Sequence, residues 1–472
     1  MKTDPQQANL TKLLADFCAN YPLHLTFPES AMREAELAIA DTVGCILAGV
    51  DDAATVKVGN TIPDEKSGPS RRSNSVRHAH PVSARDAAAV NGCAGHAREL
   101  DDNVLPAVIH SSVVLTPALF ALGEEIGATG ADIVRAFIVG KEVNAQIGKL
   151  VVPTHFESGW NTNSTIGVFG AAAACATLLK LSSDQIVHAL SLAFSMSSGG
   201  MLQFGSEAKP LHCGFAADWG IWAAQLAQQG FEGNKDVFQG KWSFQEMYAG
   251  GKSDSVFLPA LFPEAPLAID EYPPVAKLYP CCGSSHLGID AIRALLGKHR
   301  VDVEDITRVD VHMIKIMYET LRYQIPANEK EARFSMPYCA AVTLAHGLPR
   351  LSHFSSDAIS KPDPAVARLI PLVHTHVRNP SPEVIAKKLI FLGDCLVEVH
   401  LKNGEVLKEI SEHPKGCSDN PLTANERRDK FLDCVTPRLS QDQALQLYSK
   451  LLKLSSLATI REVTPVFGRN VD

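Results

Sequence analysis

The chain has 472 residues, 46% of them hydrophobic and 20% charged, with a formal charge of −8. That length exceeds what one hydrophobic core usually fills, so at least two domains are expected. The acidic balance excludes nucleic acid as the main partner, because phosphate binding favours a basic face. No run approaches the ~20 apolar residues of a membrane helix, so no membrane partner is expected either.

The opening "MKTDPQQANLTKLL" has no apolar signal core. Eleven cysteines are scattered without zinc-type spacing, and the adjacent Cys281 and Cys282 are not a CxxC pair. Both features read as a cytoplasmic protein with reduced, mostly buried thiols.

In chain order, the first half reads as helix after helix. "PESAMREAELAIADTVGCILAG" has Ser30 as its N-cap and apolar residues at helical spacing. The Ser/Arg/Pro-rich stretch 63–82 reads as a loop. "SARDAAAVNGCAGHA" starts at Ser83 with Asp86 three residues on, a capping-box pattern, and its Ala and Gly residues let neighbouring helices approach closely. Thr129 caps "TGADIVRAFIVGKEVNAQIGKL", and Ser182 or Ser183 caps "SSDQIVHALSLAFSM". "KPLHCGFAADWGIWAAQLAQQGF" has Pro210 in its first turn and Gly230 past its end.

The character changes after residue 265. "ITRVDVHMIKI" alternates as a half-buried strand does, and "LVEVHLKNGEVLKEI" is a hairpin around Asn403–Gly404. "CGSSHLGIDAIRALLGKH" and "FSMPYCAAVTLAHG" read as helices, as do "TANERRDKFLDCV" and "SQDQALQLYSKLLKLSS" in the tail. The expectation is a mostly α protein: a large all-helical domain over 1–265, a smaller α+β lid domain over 266–415, and a helical segment 416–472 that packs back on the first domain.

Four segments could carry chemistry. "GHARELDDNVLPAVIHSS" places Glu99, Asp101 and Asp102 together and His110 eight residues after the last of them. Pro106 breaks any long helix there, so a helix end and a loop to His110 are expected, and loops held by rigid helices often carry catalytic groups. The acids read either as solvated helix-end groups or as part of a pocket wall. "ESGWNTNSTIGVFGAAAACATLLKL" puts Asn161, Thr162 and further polar residues before a small-residue helix, either a plain N-cap run or an anion site. In "GSEAKPLHCG", Lys209 precedes a helix start, where a cation does not help the helix, with His212 three residues on; it reads either as a surface lysine or as a group kept for an anionic ligand. "VAKLYPCCGSSH" holds Lys277, Tyr279 and His286 at the start of the second domain, and a cleft between domains favours ligands. "RHAHP" and "VHTHV" lack a matching ligand cluster, and no Walker loop or strand-linked GxGxxG occurs.

Taken in order, "AIADTVGCILAG", "ARDAAAVNGCAGHARELDD", "GWNTNSTIGVFGAAAA", "AKPLHCGFAA", "KLYPCCGSSH", "EARFSMPYCAA" and "HPKGCSDNPLTANERRDKF" resemble the MmgE/PrpD family. That family includes 2-methylcitrate dehydratase, cis-aconitate decarboxylase and iminodisuccinate epimerase. The wording of "ELDD" and "LYPCCG" is nearer to fungal-type cis-aconitate decarboxylases than to the animal enzymes. The resemblance implies a homodimer and a cofactor-free, metal-free pocket between the domains for a di- or tricarboxylate. It implies that Glu99, Asp101, Asp102 and His110 line that pocket, that Lys209 and Lys277 hold substrate carboxylates, and that Tyr323 takes part in catalysis. Asn161, Thr162 and His212 are its further substrate contacts. Many members carry histidine where this chain has Asn161, and asparagine cannot shuttle a proton near neutral pH. In some members aspartate stands at the Glu99 position, and in animal-type members the histidine is one residue nearer the Asp pair. A lyase, dehydratase or decarboxylase, is the first expectation. An epimerase of a dicarboxylate and a non-catalytic carboxylate-binding homologue are the alternatives.

Overall fold

A computed structural model describes residues 9–24, 26–64, 72–104, 107–250, 259–379, 382 and 393–468. Pro106 and residues 65–71 of the expected loop lie outside the described residues. The longer helices of the first half are α1 (Leu10–His24), α2 (Glu29–Ala48), α3 (Ala84–Ala97), α4 (Ser111–Ile126), α5 (Gly130–Val151), α6 (Gly167–Leu178), α7 (Ser183–Met196) and α8 (Ala208–Gln228). Thr129 and Ser182 close capping boxes with Asp132 and Gln185, and the Ser83 hydroxyl accepts the Asp86 N–H. One cap differs from expectation. The second helix begins at Glu29 after Pro28 rather than at Ser30, because the fixed φ of proline already sets the chain for a helical turn.

The small residues of α3 have a definite use. A Cβ at Gly92 would lie 3.0 Å from the Gly214 Cα, and one at Gly214 would run into the Ala89 carbonyl oxygen. Helices α3 and α8 therefore cross backbone to backbone. Arg85 on α3 also holds Asp218 on α8 at 2.6 Å, so the two run antiparallel. The end of α3 consequently meets the start of α8.

The second half carries a four-stranded sheet in the order β2-β1-β3-β4, with β1 Ile306–Met313, β2 Val373–Val377, β3 Cys395–Leu401 and β4 Val406–Ser411. Strands β1 and β2 are parallel and the other pairs antiparallel. The β3–β4 turn falls at Asn403–Gly404, where Gly404 takes a φ of +86°. Helices α9 (His286–Lys298) and α10 (Met336–His346) cover the sheet. Their apolar residues join Val309, Val311, Val397 and Val399 in one cluster.

A separate cluster runs through α1–α8 and takes in Leu267, Ile269 and, from the tail, Phe431, Leu447, Leu451 and Phe467. The tail helices are α11 (Ala424–Val435) and α12 (Gln441–Leu451). From α11 the buried Lys430 ammonium reaches the Asp41 carboxylate at 2.6 Å and the Leu100 carbonyl at 2.9 Å. It thereby ties the tail to α2 and to the acidic segment. No helix among the described residues is long and apolar enough to cross a membrane.

Gly214→Ala is expected to destabilise the protein by about 1–3 kcal/mol through overpacking, because it forces α3 away from α8. Gly297→Ala, in the last turn of α9 with open space around it, is expected to be neutral or stabilising by up to about 1 kcal/mol. Urea unfolding midpoints of both variants check this contrast.

Candidate active site

Helix α3 stops at Ala97, and Glu99 takes a left-handed φ of +53°, a conformation that a non-glycine residue adopts only at a cost. That turn swings Leu100–Asp102 back beneath the helix end. Asn103 then pairs with Val275 through N–H···O bonds of 3.0 and 2.8 Å, two residues before Lys277. The chain returns at His110, which occupies the N-cap position of α4. Its N–H donates to the Asn163 side-chain oxygen at 2.9 Å.

Around this turn the charges converge. Asp101 Oδ2 accepts from His96 Nδ1 at 2.8 Å. His110 Nδ1 stands 3.0 Å from the same oxygen, off the hydrogen-bonding direction. His96 Nε2 lies 2.6 Å from Lys209 Nζ. An ammonium only donates, so Nε2 accepts and the His96 proton sits on Nδ1. Lys209 also donates to Glu99 Oε1. Glu99 Oε2 is 3.6 Å from Lys277 Nζ, which is 3.9 Å from Asp101 Oδ1. The Lys277 ammonium is 2% exposed and has no hydrogen-bond partner among the described residues.

This geometry decides ionisation. Burial opposes charge on Glu99, but the Lys209 and Lys277 ammonium groups beside it outweigh that and hold the carboxyl below its usual range. Asp101 is likewise buried and likewise held well below the usual carboxylate range, by the two imidazoles and Lys277. Burial would lower Lys277, but Asp101 and Glu99 raise it. His110 goes the other way: burial pushes it down to about 4 despite the pull of Asp101. At neutral pH the site therefore holds two carboxylates, two ammonium groups and a neutral His110.

The three acids do not act together. Glu99 and Asp101 face the lysines, whereas Asp102 accepts from Ser112 at 2.5 Å behind them. Burial raises Asp102 to about 7, against the opposing effects of Ser112 and Lys141.

A cavity opens over this cluster between the two hydrophobic clusters of the fold. Its walls include Glu99, His110, Asn161, Thr162, Asn163 and Lys209 from one side and Lys277, Cys282, Ser284, His286, Ile316 and Met317 from the other. The rings of Phe204 and Phe334 flank the Lys209 ammonium at 5.1 and 5.3 Å. Asn161 caps a short turn by accepting the Asn163 N–H at 3.0 Å, and its amide nitrogen is 2.8 Å from His212 Nδ1. His212 thus stands behind Asn161 and outside the cavity lining. Thr162 donates to the Val108 carbonyl at 2.5 Å. Tyr323 also lies outside the lining: its hydroxyl is 3.3 Å from the Phe204 carbonyl, and it packs on Gly205. Of the ten expected residues, seven surround the cavity or the charged cluster beneath it. Asp102, His212 and Tyr323 support its walls from behind. Of the two lysines expected to hold carboxylates, Lys209 is occupied by Glu99 and His96 and Lys277 is open.

Sequence reading passed over His96; Asn163 and His286 stand in segments it singled out but were given no role of their own. The signal for His96 was present: it sits in the last turn of a small-residue helix, three residues before Glu99 and five before Asp101. His96, Asp101 and His110 bring three ligand atoms within 4.8 Å of one another. The set fits a divalent cation poorly, because the two lysine ammonium groups already supply positive charge there and Lys209 occupies His96 Nε2.

His155, hydrogen-bonded to Thr165 at 2.7 Å below the Asn161 turn, is, like His110 and His212, pushed down to about 4 by burial. Histidine in an unfolded chain protonates near about 6.5. Between these values the unfolded state binds more protons, so stability rises with pH by up to about 1.4 kcal/mol per pH unit for each ring. The protein is expected to lose stability steadily as the pH falls from about 6.5 towards 4. Urea midpoints across that window test it; a midpoint independent of pH contradicts it.

Comparison with known proteins shows the family. Residues 12–256 match the MmgE/PrpD N-terminal domain and residues 279–454 the MmgE/PrpD C-terminal domain. The chain is 30% identical over 380 residues to the human cis-aconitate decarboxylase, covering 79% of this chain and 76% of the relative. It is 29% identical over 388 residues to the mouse enzyme of the same name, with the same coverage. A cis-aconitate decarboxylase of Aspergillus terreus is 28% identical over 432 residues, 85% of this chain and 84% of the relative. The chain therefore belongs to the MmgE/PrpD family and is an enzyme of the lyase class.

Proposed function

We propose that this lyase is a decarboxylase that works without metal or cofactor on a small unsaturated polycarboxylate. The substrate binds between a helical domain of residues 1–265 and a lid of residues 266–415, with 416–472 completing the helical domain, in a homodimeric protein. The single observation that carries the reading is the Lys277 ammonium: buried, facing the cavity and without a hydrogen-bond partner among the described residues. A buried cation in that condition is costly until an anion meets it. The relatives are named for the decarboxylation of cis-aconitate, which supports a carboxylate as that anion.

The chemistry follows from the carbon skeleton. In a β,γ-unsaturated acid, the bond to the departing carboxyl breaks and its electron pair forms a terminal double bond. The former π pair moves to the carbon bearing a second carboxylate, and that carbon then takes a proton. Lys277 stabilises the charge that builds on the second carboxylate, a gain realised mainly in the transition state. His110 presents Nε2 to the cavity, because Nδ1 is turned to Asp101, and delivers the proton. Its depressed pKa rises when an anion binds beside it, so the ring gains its proton in the complex. Asp101, held by His96 and flanked by Lys277, stands 3.0 Å from His110 Nδ1 and balances the imidazolium. Asn161 supplies hydrogen bonds but no proton, which disfavours an epimerase that needs two proton carriers.

His110→Ala is expected to lower kcat by roughly 10²–10⁴ with a near-normal KM. Lys277→Ala is expected to raise KM about ten- to hundred-fold, the scale of a charge-assisted hydrogen bond, and to lower kcat as well. Steady-state kinetics on both folded variants check the difference. NMR of the wild-type protein with cis-aconitate, 2-methylcitrate and iminodisuccinate in D₂O identifies the reaction. Decarboxylation with one deuterium per product is expected. Exchange without net conversion establishes an epimerase, and binding without turnover or exchange a non-catalytic homologue.

Sedimentation velocity at micromolar protein is expected to give twice the chain mass. A monomer across that range removes the homodimer.

A further inference from the structure

We propose that the preferred substrate is an unsaturated dicarboxylate with an apolar arm in place of a third carboxylate, the simplest type being a 3-alkylglutaconate. The inference rests on the decarboxylase reading and narrows it.

The reaction uses two carboxylates. One leaves as carbon dioxide, its C–C bonding pair becoming the new double bond. The other stabilises the displaced π pair until the proton arrives from His110. A third carboxylate on the middle carbon takes no part in this electron flow.

The site is matched to two. Its wall carries two ammonium groups and one carboxylate, Lys209, Lys277 and Glu99, and Asp101 lies behind them, so the ionised groups sum to zero. Lys209 is engaged by Glu99 and His96, which leaves Lys277 as the cation with free donors. No arginine stands among the described lining residues; the buried Arg333 instead donates to the Ala97 carbonyl at 3.0 Å. Besides neutral polar groups such as Asn161, Thr162, Ser284 and Thr320, the wall includes the apolar Val108, Phe156, Val275, Leu287, Ile316 and Met317. A third carboxylate there gives up water with nothing charged to replace it. An alkyl group there gains by leaving water. The carboxylate that departs also benefits from an uncharged surrounding, because its charge is lost in the step.

The test measures kcat/KM and, by calorimetry, Kd for (E)-3-methylglutaconate and (E)-3-propylglutaconate, in which the alkyl group stands where cis-aconitate has its middle carboxylate, and for cis-aconitate, on the full chain. At least tenfold preference for the alkyl compounds over cis-aconitate is expected in both quantities, with propyl at least equal to methyl. Met317→Lys, which adds a cation to the apolar wall, is expected to reverse the order towards cis-aconitate. A wild-type preference for cis-aconitate, or equal values for all three, overturns the inference whether or not Met317→Lys folds. Tighter binding of the alkyl compounds without carbon dioxide release upholds the ligand class and removes the decarboxylase reading. No binding of any of the three overturns both.

Discussion

The site depends on how closely α3 and α8 approach. With glycine at 92 and 214, two backbones pass at a distance that no side chain could share. Because the helices run antiparallel, the last turn of one and the first turn of the other become neighbours. His96 and Glu99 then meet Lys209 without any long side chain having to reach across a gap. Substituents on either glycine would separate groups that now stand at hydrogen-bonding distance. The interlocked helix pair thus sets the geometry of the charged cluster, and the lid adds Lys277 to a scaffold already in place.

Four ionised groups out of water are an unfavourable arrangement for stability alone; well-packed apolar residues would often serve as well or better. Their mutual neutralisation makes the cluster tolerable. The uneven distribution of partners gives it chemical character. Lys209 is saturated, Lys277 is open, and one Asp101 oxygen bonds His96 and stands 3.0 Å from His110 Nδ1. The same burial that would punish an isolated charge keeps His110 neutral and ready to respond to the arrival of an anion. Structural and reactive residues are therefore chemically alike here and differ in what their neighbours leave free.

Local patterns were legible along the chain wherever the cause was local. The helix caps at Thr129 and Ser182, the Asn403–Gly404 turn and the alternation of β1 all follow from residues close in sequence. The ordered motifs led to the family and to the acidic segment, both lysines and Asn161. What escaped was contact between distant segments. His96 looked like one more residue of a small-residue helix until Lys209, 113 positions on, was placed against it. Asp102 looked equivalent to Asp101, although alternation of side-chain direction at a turn sends it to Ser112. Tyr323 and His212 show the converse. Their motifs lie beside the site, but their polar atoms are directed at Phe204 and Asn161. Only the paths of the flanking loops decide such directions.

The Lys430 bridge bears on the order in which the molecule can be made. Its ammonium grips the carbonyl of Leu100, the residue immediately before Asp101, across 330 positions of chain. During synthesis, the helices around the acidic turn emerge and can begin to pack long before that lysine exists. The carboxylate at the heart of the site acquires its final backbone anchor only when the tail has left the ribosome. A nascent chain can thus pack many of the helices around the acidic turn before the lysine that anchors Leu100 has been made.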